Sequence, residues 1–277
     1  LFTILILMTM NLMTAKLFGE LEFWFSIIKI TTIVALIVVG IIMIVMAYET
    51  PYGTASLTHI WDHDGIFPNG MNGFFLSFQM AAFSFVGIEL IGVTAGETKD
   101  PHKTIPRAIN SVPIRIMLFY VGSLIIIMSI TPWDKIDPAE SPFVKLFGLI
   151  GIPIAAAIIN FVVLTAAASS CNSGIFSNSR MLYGLSQNGQ ANKSFGQTNK
   201  TGVPYKATLF SCFLLMISVL LNYVIKDAGE VFKYVTSVST VLFLVVWSLI
   251  VVAYIRYRKI SPELNKASNF KLPGGVP

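Results

Sequence analysis

The chain has 277 residues, of which 55% are hydrophobic and 12% are charged, and its formal net charge is +5. This composition is far more apolar than that of a soluble domain of similar length, which excludes a soluble globular protein. Several apolar segments reach the roughly 20 residues that cross a bilayer as a helix. The sequence therefore predicts an all-α polytopic membrane protein rather than a barrel.

Seven transmembrane helices are predicted, separated by segments rich in turn-forming and charged residues. In chain order they cover about residues 1–15, 22–47, 71–96, 112–131, 152–185, 207–225 and 231–255. The first begins within an apolar run that has no charged region before it, which is not the pattern of a signal peptide. We expect one membrane domain over residues 1–277, with both ends cut within a longer protein.

Basic residues concentrate in alternate connecting segments. One set consists of Lys16, Lys99, Lys103, Arg107, Arg115, Arg180, Lys193, Lys200, Lys206, Arg256, Arg258, Lys259, Lys266 and Lys271. The smaller set consists of Lys135, Lys145, Lys226 and Lys233. By the positive-inside rule the loop 97–111 and the C-terminus are cytoplasmic, and the loops 48–70 and 132–151 are extracellular. Because no single basic stripe forms, the charge indicates membrane topology and no nucleic-acid partner.

The second predicted span carries a lysine, Lys29, in the stretch "FSIIKITTI". A charge at the centre of a membrane helix costs about 2.5 to 3.5 kcal/mol on insertion scales, so it needs water or a protein partner. Two interpretations are open. The ammonium can snorkel to the headgroups, or it can face inward, where it exchanges a proton or holds a neighbouring broken helix.

The third predicted span carries Glu89 near its middle, in "FSFVGIELIG". Gly87 precedes the glutamate, Gly92 follows it, and Ser84 lies about one turn earlier. Glycines beside an acid are typical of an unwound segment, which transporters place at the membrane midplane. The alternative is a close-packing face of small residues, with Glu89 bonded to a neighbouring helix.

The fifth predicted span is rich in small polar residues. They are Thr165, Ser169, Ser170, Asn172, Ser173, Gly174, Ser177 and Asn178. Much of this pattern is typical of close helix packing with interhelical hydrogen bonds. One or two of the hydroxyls could instead line a site.

Enzyme and metal chemistry find little support in the sequence. His59 and His63 lie among acidic residues, and a solvated acidic loop explains them better than a metal site does. The chain has no P-loop, no "HExxH" and no "GxSxG" motif, so we expect neither catalysis nor a cofactor. The two cysteines, Cys171 and Cys212, fall in apolar segments and give no metal spacing.

Four stretches carry a resemblance that runs from Leu1 to Pro277. They are "FGELEFWFSIIKI", "FSFVGIELIGVTAGETKDPHKTIPRAINSVPIRI", "SPFVKLFGLIGIPIAAAIINFVVLTAAASSCNSGIFSNSRMLYGL" and "YRKISPEL". Together they resemble the amino acid transporter family of the amino acid-polyamine-organocation (APC) superfamily. The resemblance implies a LeuT-type fold of inverted five-helix repeats in a twelve-helix protein. The seven predicted spans correspond to helices 4 to 10, so helices 1 to 3, 11 and 12 are outside the chain.

The same resemblance assigns roles to residues. The third span matches a discontinuous helix 6, whose backbone around Phe85 to Ile88 would meet the amino group of the substrate. The implied substrate-binding residues are Ser84, Phe85, Val86, Gly87, Ile88 and Glu89. Lys29 matches a position where sodium-coupled relatives bind a cation, and Ser169 or Ser170 would face it. The implied proton-coupling or gating residues are Lys29, Glu89, Ser169 and Ser170.

The function that the resemblance implies is secondary active transport across the cytoplasmic membrane. The expected substrate is a small amino acid of the D-serine, D-alanine and glycine class, carried with a proton by alternating access. Two alternatives stay open within the family. The substrate could be 4-aminobutyrate or an aromatic or basic amino acid, or the protein could be an amino acid exchanger.

Overall fold

The computed structural model describes residues 2–13, 15–62, 64–137, 140–151, 153–225, 228–268 and 270, and most of them are helical. The α-helices are α1 Phe2–Leu12, α2 Ala15–Val45, α3 Gly70–Phe83, α4 Leu90–Val93, α5 Pro101–Arg115, α6 Gly122–Ile130, α7 Pro142–Leu149, α8 Pro153–Gln187, α9 Tyr205–Val224, α10 Ala228–Ile260 and α11 Pro262–Ala267. Two short strands, β1 Glu49–Thr50 and β2 Gly53–Thr54, pair in an antiparallel hairpin. Leu1, His63 and residues 271–277, which the sequence analysis assigned, lie outside the described residues.

Long apolar helices dominate the structure, as expected for a membrane protein. Within the described ranges, four helical stretches are long and apolar enough to cross a membrane. They are Phe18–Val45, Pro101–Ile130, Ile154–Gln187 and Gly229–Ile260. The helices Phe2–Leu12 and Tyr205–Leu221 are apolar but shorter. The predicted helical membrane fold is thus confirmed, whereas the count of seven spans and the inverted repeat stay predictions.

The fourth span differs from its predicted limits. Within the predicted loop 97–111 the chain is already helical from Pro101, and α5 continues through a π-helical segment, Ile116–Val121, into α6. Proline favours the first turn of a helix because the N–H that it lacks would be unpaired there. The first half of this helix mixes charged and apolar residues, so hydropathy alone places the start of the span too late.

The largest buried apolar cluster lies where α2, α6, α7 and α8 meet. Its members include Leu36, Met43, Ile126, Ile127, Ile130, Leu146, Phe147 and Ile159. Helices α2 and α6 come close together at Gly40 of α2, where an added Cβ atom would overlap the side chain of Ile126 in α6. Glycine at this position therefore allows α2 and α6 to pack together.

The buried side of α2 follows a seven-residue spacing. Leu36 and Met43 are only 0% and 4% exposed, and the same spacing toward the N-terminus reaches Lys29 and Glu22. Seven residues are almost two helical turns, so all four side chains lie along one face. This face begins with two charged residues and continues into the apolar core.

Replacing Gly40 with alanine should lower the melting temperature of the detergent-solubilised full-length protein. The new methyl group would overlap the stiff, β-branched side chain of Ile126, and overpacking of this kind costs about 1 to 3 kcal/mol. Gly19→Ala is the matched control because a Cβ at Gly19 meets nothing within 4 Å. Equal melting temperatures for the two variants would contradict the close approach of α2 and α6.

Candidate functional site

The third predicted span is broken in the structure. Helix α3 ends at Phe83, and α4 begins only at Leu90. Between them the chain continues in tight turns, in which the carbonyl oxygens of Phe83, Phe85 and Gly87 each accept from the N–H three residues later. Gly87 has φ = +104°, a value that side-chain-bearing residues rarely adopt. The glycine beside the acid therefore permits the interruption that the sequence predicts.

Glu89 lies at the end of this break and holds it through hydrogen bonds. Its two carboxylate oxygens accept from the backbone N–H of Gly87 at 3.1 and 3.2 Å. One of them, Oε2, also accepts from the indole Nε1 of Trp247 in α10 at 3.2 Å. One backbone N–H and one indole N–H therefore donate to this carboxyl group. Glu89 thus joins the broken segment to α10.

Helix α10 also contacts the helix before the break. The side-chain amide of Gln79 in α3 donates to the hydroxyl of Ser237. The hydroxyl of Thr240 lies 3.4 Å from the backbone oxygen of Gln79, while it donates at 2.8 Å to the backbone oxygen of Thr236 in its own helix. The rings of Phe83 and Phe232 meet edge to face, with centroids 6.5 Å apart. α10 therefore supports both sides of the interruption.

A second polar cluster connects α2 with α8. The ammonium of Lys29 donates to the hydroxyl of Ser169 at 2.9 Å. The same hydroxyl donates to Oε2 of Glu22 at 2.8 Å. Ser169 is fully buried, and both charged residues are partly buried. One hydroxyl therefore lies between an ammonium and a carboxylate.

Two asparagines extend this cluster to α1. Asn172 in α8 donates from Nδ2 to Oε1 of Glu22 at 2.9 Å. Asn11 in α1 donates from Nδ2 to Oδ1 of Asn172 at 2.6 Å and to the backbone oxygen of Leu7 at 2.9 Å. Asn11 and Asn172 are 2% and 0% exposed. The hydrogen-bonded cluster thus spans three helices.

Aromatic packing covers one end of this cluster. Phe18 lies one turn before Glu22 in α2 and stacks on Phe176, one turn beyond Asn172 in α8, with ring centroids 3.9 Å apart. The guanidinium of Arg180 lies 3.5 Å from the centre of the Phe176 ring. These rings shield the carboxylate of Glu22 from that side.

Lys29 also borders a cavity of about 380 Å³ between α2, α7 and α8. Thr32 and Ser141 supply further polar groups, and most of the remaining lining is apolar. The lysine therefore contacts Ser169 at the edge of an open space between helices.

The structure places the predicted site residues in two groups. Lys29 meets Ser169, which agrees with the inward-facing alternative for this lysine. Ser170 is exposed and donates to the backbone oxygen of Ala166 at 3.1 Å, so only one of the two serines contacts the lysine. Glu89 bonds instead to Gly87 and Trp247.

The remaining predicted residues lie within the break. Ser84 is partly buried and its hydroxyl donates to the backbone oxygen of Ala81 at 2.7 Å. The side chains of Phe85 and Ile88 are exposed, and Val86 is partly buried. Because α4 packs against α8, the break and the Lys29 cluster border the same long helix.

The sequence analysis missed Glu22, Asn11 and Trp247. Glu22 marked the start of a predicted span, although its position seven residues before Lys29 would have placed both on one face. Asn11 stood unremarked in a short apolar helix. Trp247 gave no signal, since a tryptophan in an apolar helix is as typical of a lipid-facing surface as of a contact with another helix.

A metal site finds no support in the part of the chain that the structure describes. No group of three or more His, Cys, Asp or Glu side chains there could hold a metal ion. His63, which the sequence analysis considered together with His59, lies outside that part.

These features together define the class of protein. Long apolar helices, a helix interrupted beside an acid, and charged side chains paired between helices are those of a polytopic helical membrane protein. The chain belongs to the amino acid permease family, whose model matches residues 1–277.

Individual relatives agree with this assignment. The chain is 54% identical over 273 residues to the D-serine/D-alanine/glycine transporter of Escherichia coli K12, covering 98% of this chain and 58% of the relative. It is 54% identical to the uncharacterized transporter YdgF of Bacillus subtilis, with 99% and 59% covered. It is 47% identical to the DL-alanine permease SerP2 of Lactococcus lactis, with 98% and 59% covered. The chain thus spans somewhat more than half the length of these relatives.

Replacing Gly87 with alanine should destabilise the full-length protein by about 1 to 3 kcal/mol, because the positive φ of the break would strain a residue that carries a Cβ. Gly92→Ala is the control, since Gly92 lies in α4 and a Cβ there meets nothing within 4 Å. Thermal unfolding of both variants in detergent measures the difference. A Gly87 variant as stable as the Gly92 variant would contradict the conformation of the break.

Proposed function

We propose that the full-length protein is a secondary active transporter that carries small amino acids across the cytoplasmic membrane by alternating access. The substrate class is that of D-serine, D-alanine and glycine. The observation that carries the proposal is the interrupted helix at Ser84–Glu89, which holds a carboxylate within the membrane domain. The names of the relatives, which include a D-serine/D-alanine/glycine transporter and a DL-alanine permease, support the substrate class.

The break suits an amino acid substrate for physical reasons. Irregular backbone is tolerated at membrane depth only where it lines a cavity or is buried in protein, and transporters use such breaks as binding sites. The turn bonds use the carbonyl oxygens of Phe83, Phe85 and Gly87 and leave those of Ser84 and Val86 outside these turns. These oxygens would receive the ammonium of the substrate, and Glu89 lies beside them. Phe85 and Ile88 would contribute apolar contacts.

Coupling to a proton is the second part of the proposal. Glu89 is the group that exchanges the coupling proton beside the substrate. Lys29 supplies a fixed positive charge in the position where sodium-coupled relatives bind a cation. Ser169 contacts Lys29 directly, whereas the exposed Ser170 bonds to the backbone of Ala166 in its own helix.

The wider architecture follows from the family. Seven spans correspond to helices 4 to 10 of a LeuT-type permease, in which residues 97–111 and the C-terminus face the cytoplasm. The loops 48–70 and 132–151 face outward. The relatives extend well beyond the matched region, so the complete binding site includes residues outside this chain.

Uptake of labelled D-alanine by cells that express the full-length protein tests the substrate and the coupling together. We expect competition by excess D-serine and glycine but not by L-phenylalanine or L-lysine, and loss of uptake when a protonophore collapses the gradient. Absence of D-alanine uptake would contradict the substrate class. Uptake that survives the protonophore and rises with preloaded amino acid would identify an exchanger.

Two substitutions test the residues. Glu89→Gln and Lys29→Ala should each reduce proton-driven uptake at least about tenfold, since a lost charge-assisted contact costs about 1.5 to 3 kcal/mol. Glu20→Gln, at an exposed position of α2, should leave uptake unchanged. Initial rates normalised to protein in the membrane provide the measurement. If both variants keep the wild-type rate and pH dependence, the assigned roles are wrong.

A further inference from the structure

Glu22 is a charged residue in the polar cluster that the proposed transport mechanism does not use. It lies on the same face of α2 as Lys29, two turns earlier, and both of its carboxylate oxygens are bonded to α8. Each bond has a direction, because every atom involved is either a donor or an acceptor. These directions show which groups donate to Glu22.

The bond directions follow from the two ends of the cluster. An ammonium has only donors, so Ser169 accepts from Lys29 and its single proton points to Glu22. At the other end, one atom of Asn11 contacts two oxygens, the backbone oxygen of Leu7 and Oδ1 of Asn172. That atom must be the amide nitrogen. Asn172 therefore also points its own amide nitrogen at Glu22, and both carboxylate oxygens accept.

Asn11 shows that this direction is fixed. Its Oδ1 is buried, and no donor reaches it within the described parts of the chain. A buried acceptor without a partner costs about 1 to 3 kcal/mol. If the Asn11 amide were turned over, its oxygen would face two other acceptors, the backbone oxygen of Leu7 and Oδ1 of Asn172. Two such acceptor–acceptor contacts cost more than one unpartnered oxygen. The cluster therefore retains one unpartnered atom and keeps the Ser169 hydroxyl and the Asn172 amide directed toward Glu22.

We propose that Glu22 and Lys29 form one relayed ion pair, with the Ser169 hydroxyl between the two charges. Asn172 and Asn11 are positioning residues that hold Glu22 as the anionic member of the pair. The elements packed against α2 carry few competing charges. Helices α1 and α6 contain no ionisable side chain. The ionisable residues of α7 and α8 are Lys145, Cys171, Arg180 and Tyr183.

The cations Lys145 and Arg180 and the thiol of Cys171 are engaged or directed elsewhere. Lys145 lies over the ring of Tyr52, Cys171 is exposed, and Arg180 lies over the ring of Phe176. Glu89, which directly precedes α4, is bonded to Gly87 and Trp247. Glu22 therefore balances the positive charge of Lys29, and the groups that connect the two charges belong to α1, α2 and α8.

This pairing specifies what Lys29 does in transport, and that role rests on the proposed function. A lysine that keeps its own counter-charge does not need the substrate carboxylate or Glu89 to compensate it. Its charge can therefore remain between the helices throughout the transport cycle.

A double-mutant cycle in the full-length, detergent-solubilised protein tests the pairing. Glu22→Gln and Lys29→Met should each lower the melting temperature, because each leaves one partly buried charge without its partner. The double variant should recover at least half of the larger loss. In it, Ser169 no longer accepts from the lysine and can accept from the amide of Gln at position 22. Losses that add in the double variant, or a double variant that does not fold, would overturn the pair.

Glu20→Gln is the matched control, because Glu20 is an exposed carboxylate of the same helix. Combined with Lys29→Met, it should give no recovery. Asn172→Leu tests the positioning role. Its loss in melting temperature should be smaller in the Glu22→Gln/Lys29→Met background than in the wild type, and an equal loss in both backgrounds would reduce Asn172 to packing alone.

The melting temperature does not depend on transport, so the two proposals fail separately. Recovery in the double variant without any amino acid uptake by the wild type would leave the pair in place and refute the proposed function. Amino acid uptake by the wild type without recovery in the double variant would support the proposed function and refute the ion pair.

Discussion

In the hydrocarbon core of a membrane no water is present to satisfy a charge, so every ionised side chain between helices needs a partner supplied by the protein. Helix α8 meets this need for Lys29 and Glu22. Its buried residues Ser169 and Asn172 lie one turn apart and present a hydroxyl and an amide to the two charges. Their short side chains also let α8 approach α2 closely. The polar composition of α8 is thus a condition for keeping charged residues in α2.

Glu89 satisfies the same constraint in a different way. Its partners are the backbone of its own turn, at Gly87, and the indole of Trp247. Glu89 is thus bonded to the backbone of the break itself, so its position is tied to the shape of that break. Glu22, in contrast, is bonded to side chains of a continuous 35-residue helix. The two carboxylates therefore differ in what their charge controls.

The sequence was sufficient for features that contrast with their surroundings. Lys29 and Glu89 stand out in apolar runs, and Gly87 beside an acid indicates the interruption. The sequence was not sufficient to choose between Ser169 and Ser170. Adjacent residues point about 100° apart around a helix, and only the packing of α8 on α2 decides which of the two faces inward. Trp247 depends on the packing of α10 on α3 and was hidden for the same reason.

Glu22 shows a different limit, because its charge was visible but was read as the boundary of a span. Hydropathy scores each residue alone, whereas the seven-residue spacing to Lys29, Leu36 and Met43 is a property of the helix face. A glutamate on a face that continues into the buried core is not a simple boundary marker, since Glu22 is partly buried and bonded to α8 through both of its carboxylate oxygens. A charged residue at the end of a predicted span should therefore be assigned by its face before it is assigned to a loop.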